Sequence, residues 1–290
     1  MASLTLIPAL VELYRLASTE LPSDVHAALV CARKSEMPNS NARRALDAII
    51  ENTKIAKHNS VPLCQDTGTP VFYVRAPQGY SPQKIKSAII SATKLAERKV
   101  PLRPNAVECL SGRPLGSTGA GIPEIHISQW GKNALYFELL MKGAGSENIG
   151  KCYSLPDESL CAERDFTGVE KCALDAVQKA QGRACPPMVL CIAITGSRAE
   201  AAAESKRLLL RKLGEKNKNR ELAKLENSIL KKANSLGIGP SGLGGKSTLL
   251  AVHISVLARH PASMFVDVSF SCWALRRRGM LWQKEGAKYA

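Results

Sequence analysis

Val61-Pro-Leu-Cys64-Gln65-Asp66-Thr67-Gly68-Thr69-Pro70 sets a thiol, an amide, a carboxylate and a hydroxyl side by side, with a proline near each end. Prolines fix φ and push their predecessors toward extended backbone, and Gly68 allows a turn that an L-residue resists. The run Val71-Phe-Tyr-Val74 that follows is rich in β-forming residues. The segment therefore reads as a stiff loop at the mouth of a strand, from which side chains converge on one point. It equally suits an ordinary turn around a buried cysteine, because free cysteine is among the most buried residue types.

Upstream, residues 4–58 read as helical. Ala42, Ala45, Leu46, Ile49, Ile50, Thr53 and Ala56 make a one-sided apolar stripe, and Asn39-Ser40-Asn41 offers N-caps. Downstream, a helix is expected over 81–98, with Ser81 as cap, Pro82 at the first helical position and Ile85, Ala88, Ile89, Ala92 and Leu95 inward. Residues 99–123 are rich in Gly and Pro. Strands are expected over 124–129 and 134–141, joined at Trp-Gly-Lys-Asn. A helix carrying Phe166, Val169, Ala173, Ala176, Val177 and Ala180 stops at Gly182, and a strand follows over 188–194. A long basic helix is expected over 198–234, then a glycine-rich run to Thr248, a short helix, and a strand over 264–270. The fold class is α/β (mixed α+β), a helical lead-in (1–58) followed by a mixed-sheet core (59–290). No linker divides the chain, so 1–290 reads as a single domain.

Composition narrows the function. A chain of 290 residues with 45% hydrophobic and 22% charged residues can bury a sizeable core. Forty Lys and Arg against 25 Asp and Glu give +15, which points to anionic small molecules, an acidic partner or nucleic acid. Between Arg198 and Lys232 there are eleven basic and five acidic residues; Arg276 to Lys288 has five and one. The first run is dispersed over a predicted helix and suits a solvated face. Nucleic acid is not expected, since no aromatic residues are interleaved to stack on bases. The start of the chain lacks a basic n-region and cleavage site, and the longest uncharged apolar stretch, 247–258, is shorter than the roughly 20 residues a bilayer demands. A cytoplasmic protein with no membrane association is expected.

Nine cysteines form no CxxC pair and no disulfide-like framework. Cys64, Cys185 and Cys272 stand apart, each at a strand–loop junction beside Pro, Gly or an aromatic residue. Three thiolates from distant parts of a chain suit zinc or an iron–sulfur cluster, and three rather than four leave one coordination position open for Lewis-acid chemistry. Three unrelated buried cysteines would give the same spacing. The run Leu236-Gly-Ile-Gly-Pro-Ser-Gly-Leu-Gly-Gly-Lys246-Ser-Thr248 is no Walker loop, because Pro240 stands where that pattern needs Gly. Its glycines could still turn backbone N–H groups toward an anion ahead of a helix, with Lys246 nearby; a substrate carboxylate or a phosphate would suit. Arg103, stiffened by Pro104, could grip a carboxylate at two points. His260 precedes Pro261; a lone histidine is more often structural than catalytic.

Taken in order, Pro62-Leu-Cys64-Gln-Asp-Thr-Gly68, Lys142-Gly-Ala-Gly-Ser-Glu-Asn148, Ala184-Cys-Pro-Pro187, the run 236–246, and His260-Pro-Ala-Ser263 with Cys272-Trp273 closely resemble the iron–sulfur-dependent class I fumarate hydratases. The likeness is to the α-subunit or N-terminal half, which L-tartrate dehydratase shares. Leu21-Pro-Ser-Asp24 and Glu51-Asn52 also look like that family. The resemblance implies a 4Fe–4S cluster on Cys64, Cys185 and Cys272, with one iron lacking a protein ligand and open to a small dicarboxylate substrate. It further implies that Gln65 and Asp66 line the site, Asp66 as acid/base or its partner. Arg103 holds a substrate carboxylate, His260 lies close to substrate as a second catalytic residue, and Gly145 offers a backbone contact.

The expected activity is the hydration of fumarate to malate, completed by a separate β-subunit in an α2β2 assembly. The rivals are an L-tartrate dehydratase α-subunit and a non-catalytic metal- or nucleic-acid-binding protein on the same scaffold. Ala144, Thr195-Gly196-Ser197 and Leu115-Gly-Ser-Thr-Gly119 depart from the family pattern; the first and third bear on substrate identity more than on the cluster.

Overall fold

The computed structural model describes residues 3–283 and 286–290. The chain begins α1 (Ser3–Thr19), α2 (Ser23–Ser35), α3 (Asn41–Asn59), β1 (Thr69–Pro77), α4 (Pro82–Lys99), β2 (Ala106–Val107), β3 (Pro114–Gly116), β4 (Glu124–Trp130) and β5 (Leu135–Lys142). It continues α5 (Ala144–Asn148), β6 (Lys151–Ser154), α6 (Phe166–Ala180), β7 (Met188–Thr195), α7 (Arg198–Arg207), α8 (Arg220–Ser235), β8 (Leu249–Val256), β9 (Phe265–Ser271), β10 (Arg276–Gln283) and β11 (Gly286–Tyr289). This is the mixed α/β class that the sequence predicts. No helix among the described residues is long and apolar enough to cross a membrane.

The chain divides into two compact units: Met1–Pro22 with Asn52–Gly143 and Arg276–Ala290, and Ser23–Glu51 with Ala144–Leu275. The first unit is a five-stranded sheet in the order β11-β10-β5-β1-β4, with β1 parallel to β4 and the other pairs antiparallel. Parallel β1 and β4 require a crossover, and α4 supplies it. Helix α4 starts as expected: the Ser81 side chain accepts from the Lys84 N–H and Pro82 occupies the first turn. Leu10, Leu13 and Tyr14 of α1 pack with Ile85 and Ile89 of α4 on Phe72, Val74, Phe137 and Leu139 of the sheet. Each such large side chain contributes roughly 1.5–3 kcal/mol when taken fully out of water. The Tyr14 hydroxyl meets Thr93 Oγ1 at 2.7 Å, and burial pushes its phenol pKa up.

The second unit is a four-stranded sheet, β6-β9-β7-β8, with β7 and β8 parallel and β9 antiparallel to β7. Every residue of β7 is buried, as expected of a continuous apolar strand covered on both faces. Leu190 and Ile192 pack with Val169, Ala173 and Val177 of α6 and with Leu225 and Ile229 of α8. On the other face Ser205 of α7 bonds Asp267 and Ser269 of β9.

Three expectations fail here. The basic segment is not one helix: α7 ends at Arg207, Gly214 turns at φ +85°, and Asn219 caps α8 by accepting from the Glu221 and Leu222 amides. A local cap of this kind outcompetes helix continuation. Its face is not wholly solvated either. Glu226 is buried and accepts from Arg211, from Asn217 and from the Ile254 N–H at 2.8 Å. The short helix expected after Thr248 is the strand β8, whose β-branched Val252, Ile254 and Val256 suit a pleat. As an edge strand it is protected by α8: besides Glu226, Asn234 Oδ1 accepts from the Thr248 and Leu249 amides at 2.8 Å.

The third concerns the glycine-rich run. An anion does sit on its amides, ahead of a strand rather than a helix, and it is the chain's own Glu36. The Lys246 N–H reaches Oε1 at 2.9 Å and Oε2 at 3.0 Å, and the Ser247 N–H reaches Oε1 at 2.8 Å. Glu36 is 3% exposed, and a Cβ on Gly245 would lie 2.8 Å from Oε2. The run is therefore a structural anchor for the end of α2. Glu36→Gln should lower stability by roughly 1–3 kcal/mol, read as a fall in urea midpoint at constant m-value. An unchanged midpoint would remove Glu36 from that role.

Candidate functional site

In the first unit the stretch 61–68 is a loop between α3 and β1. Its position is set by backbone bonds: the Leu63 N–H donates to Ser18 O at 2.9 Å, and Asn52 Nδ2 donates to Leu63 O at 2.9 Å. Leu63 is buried, Cys64 and Asp66 are half-buried, and Gln65 is exposed. Asp66 Oδ1 accepts from the Gly68 N–H at 2.9 Å, an Asx turn. Gly68 sits at φ +86°, where a Cβ would come within 2.8 Å of the Met141 carbonyl carbon. No side chain fits there, which is why the turn ends on glycine.

Thr67, 2% exposed, ties this loop to the next functional segment. Its Oγ1 accepts from the Arg103 N–H at 3.1 Å and from Asn105 Nδ2 at 3.2 Å. The Arg103 side chain is exposed beside a cavity lined in part by Thr67, Gly68, Asn105 and Ser117. Beneath the loop, Arg276 of β10 donates from Nη1 to the Asp66 carbonyl oxygen. The first unit thus gathers Cys64, Gln65, Asp66 and Arg103 on two stiff loops that share Thr67. Thr67, Asn105 and Arg276 escaped the sequence reading. The first lies inside the quoted stretch, but Arg276 showed only as part of a basic tail.

In the second unit the pieces come from both ends of the chain segment. Cys185 follows a 3-10 turn (Gln181–Ala184), adopts φ +49° and is exposed. Its carbonyl accepts from the Trp273 N–H at 3.3 Å, which draws half-buried Cys272 beside it. This pairing follows from the register, because Val189 near the start of β7 faces Ser271 at the end of β9. Gly145 in α5 lies against the same turn: a Cβ there would be 3.6 Å from Arg183 O.

His260 is elsewhere. It precedes β9 whereas Cys272 follows it, so the strand separates them by roughly 20 Å at 3.3 Å per residue. His260 Nδ1 accepts from the Ala262 N–H at 3.1 Å, which fixes the neutral ring proton on Nε2 in this exposed loop. Gly196 is needed at that end, since a Cβ would come within 2.9 Å of Arg259 Cα. The second unit therefore brings together Cys185, Cys272 and Gly145, and does not bring His260 to them.

Among the described residues no three His, Cys, Asp or Glu side chains are grouped to hold a metal ion. Two of the singled-out cysteines belong to one unit and the third to the other. The donor chemistry nevertheless fits an iron–sulfur cluster, whose irons take cysteine thiolates. Cys185 and Cys272 have adjoining backbones and are not sealed in the core, and Cys64 stands half-exposed on a fixed loop. Three of the other cysteines fit poorly. Cys172 and Cys191 are buried in the core, and burial beside Asp157 and Asp175 pushes the Cys172 thiol up to about 12. Burial and the neighbouring Asp267 charge raise Cys152 to about 11. Thiols held protonated are weak metal ligands.

The first unit thus sets a thiol, a carboxylate and an arginine on stiff loops, and the second unit sets two accessible thiols at one strand–loop junction, groups that suit polar chemistry on an acidic substrate. Comparison with known proteins is more specific. The model of the fumarate hydratase (fumerase) family matches residues 7–280, and the chain belongs to that family. It is 40% identical over 267 residues to a putative class I fumarate hydratase of Geobacillus stearothermophilus, covering 91% of this chain and 52% of that protein. It is 39% identical over 275 residues to a putative L(+)-tartrate dehydratase subunit alpha of Methanocaldococcus jannaschii, covering 92% of this chain and 94% of the other. Against the L(+)-tartrate dehydratase subunit alpha of Escherichia coli O157:H7 the identity is 33% over 268 residues, with 91% and 86% coverage. The chain thus spans about half of the Geobacillus protein and most of the two alpha subunits.

Proposed function

We propose that this chain is the α-subunit of a cytoplasmic, 4Fe–4S-dependent hydro-lyase that interconverts fumarate and malate with a separate β-subunit, in an α2β2 assembly. The observation that carries the reading is the adjacency of Cys185 and Cys272 at one end of the β7–β9 pair, in a chain whose family match also takes in the Cys64 loop. Cys64, Cys185 and Cys272 are assigned as the cluster ligands, leaving one iron without a protein ligand. When bound, the cluster supplies a Lewis acid toward the hydroxyl that leaves or adds.

The remaining work falls to the protein. Arg103 takes a substrate carboxylate as a two-point guanidinium contact and offsets charge that develops on it. Gln65 is exposed next to Asp66 and orients the bound diacid. Asp66 exchanges the proton at carbon, with its carboxylate held by the Gly68 amide. Gly145 contributes backbone at the Cys185 turn. We leave His260 out of the proton transfer because β9 separates it from Cys272. The partner is inferred from the relatives named as subunit alpha, a name that implies a second subunit.

The second reading, an L-tartrate dehydratase α-subunit, is favoured by the names of two relatives, 39% and 33% identical to this chain. The two separate on one preparation, the chain made anaerobically with the β chain of its own organism. Iron and sulfide should be present, fumarate should be hydrated and L-tartrate left unchanged. Dehydration of tartrate alone would install the second reading. A complex with no iron, no activity on either diacid and salt-dependent retention on DNA would instead identify a binding protein.

A further inference from the structure

We propose that Arg276 is a positioning residue for Asp66, an assignment that deepens the function proposed above and rests on it. Arg276 opens β10, is 1% exposed and heads the large fully buried side chains of the chain. Arginine does not shed its proton in a protein, so the charge stays in the interior. One guanidinium N–H group, Nη1, is spent on the Asp66 carbonyl oxygen, and Nε has no hydrogen-bond partner. Burying an arginine whose donors are partly unspent is unfavourable, so its retention at this point calls for a use.

The sheet shows what that use is. Arg276 stands opposite Met141 across the β10–β5 pair, and Gly68 is pressed against the Met141 carbonyl. Arg276 and the Asp66–Gly68 turn therefore meet the same point of β5. Within the turn, Asp66 is fixed at both ends: its carbonyl by the guanidinium, its carboxylate by the Gly68 amide. With both anchored, the Asp66 side chain and the adjoining Cys64-Gln65 backbone have one arrangement. Remove the guanidinium and the peptide after Asp66 is free to rotate, carrying Gln65 and Asp66 off target. A neutral residue could fill the volume, but it would not hold the carbonyl with a charged donor.

Two variants in the assembled enzyme test this, Arg276→Gln and Arg276→Lys; the second keeps charge and a donor should the first fold poorly. Hydrogen exchange followed by mass spectrometry should show amides of 64–68 exchanging roughly 10-fold faster in Arg276→Gln, with 71–76 and 135–141 unchanged. Turnover should fall by about 10–100-fold with a smaller rise in KM from the displaced Gln65, and Arg276→Lys should recover part of the exchange protection and of the turnover. Unchanged exchange in 64–68 overturns the proposal. So does an equal rise throughout β1 and β5, which would make Arg276 a strut of the sheet, and so does faster loop exchange with wild-type turnover. If the wild-type complex hydrates nothing, the hydro-lyase reading fails by itself and the role of Arg276 in that catalysis falls with it, while the exchange data still decide whether Arg276 holds the loop.

Discussion

Serine in place of Cys64, Cys185 or Cys272 is expected to strip the chain of iron, whereas Cys161→Ser keeps it. Serine conserves volume and backbone preference, so a loss cannot be laid to repacking, and it replaces a soft thiolate with a hydroxyl that binds iron–sulfur clusters poorly. A residue that merely supports a ligand is worth roughly 10–100-fold in metal affinity; a ligand itself should be worth at least as much. Cys161 is a demanding control. Like Cys185 it is exposed and sits at positive φ (+47° against +49°), so surface position and backbone shape are matched. The readout is iron and sulfide per chain and the visible absorbance of anaerobic protein, neither of which depends on turnover. Four variants with equal iron would remove the ligand assignment. Loss confined to Cys185 and Cys272 would keep the pair and release Cys64.

What the sequence disclosed and what it hid divide along the range of the interactions. Helices α4 and α6 were legible because their signals are local: Ser81 serves the Lys84 amide, and Val169, Ala173, Ala176, Val177 and Ala180 are buried along α6. The strand–loop placement of the three cysteines and the Asp66 turn were legible from residue type, proline and glycine, all within a few positions. Strand β8 was missed because its helix-length apolar run acquires a pleat only beside β7. Glu36 could not be foreseen as the occupant of the glycine-rich run, since its partners lie 210 and 211 residues away. Arg276 was counted only within a basic tail for the same reason: its pairing with β5 and its bond to the Asp66 carbonyl are long-range. His260 was placed close to substrate by the resemblance alone, and its position relative to Cys272 is set by the strand β9 between them.

Asp66→Asn should leave iron in place and abolish turnover. The substitution is unusually clean in this loop. Asparagine keeps an oxygen where Asp66 Oδ1 accepts from the Gly68 amide, so the turn, the Gly68 conformation and the Arg276 contact to the backbone all survive. What is lost is the capacity to take up and return a proton. General acid–base catalysis contributes about 10²–10⁴-fold, and a fall of that size at normal iron content is the expected result, with the thermal midpoint close to wild type. Loss of iron together with turnover would mean that Asp66 serves the Cys64 loop as a structural element. Turnover at the wild-type rate would take Asp66 out of the mechanism and assign the proton transfer to a group outside this loop.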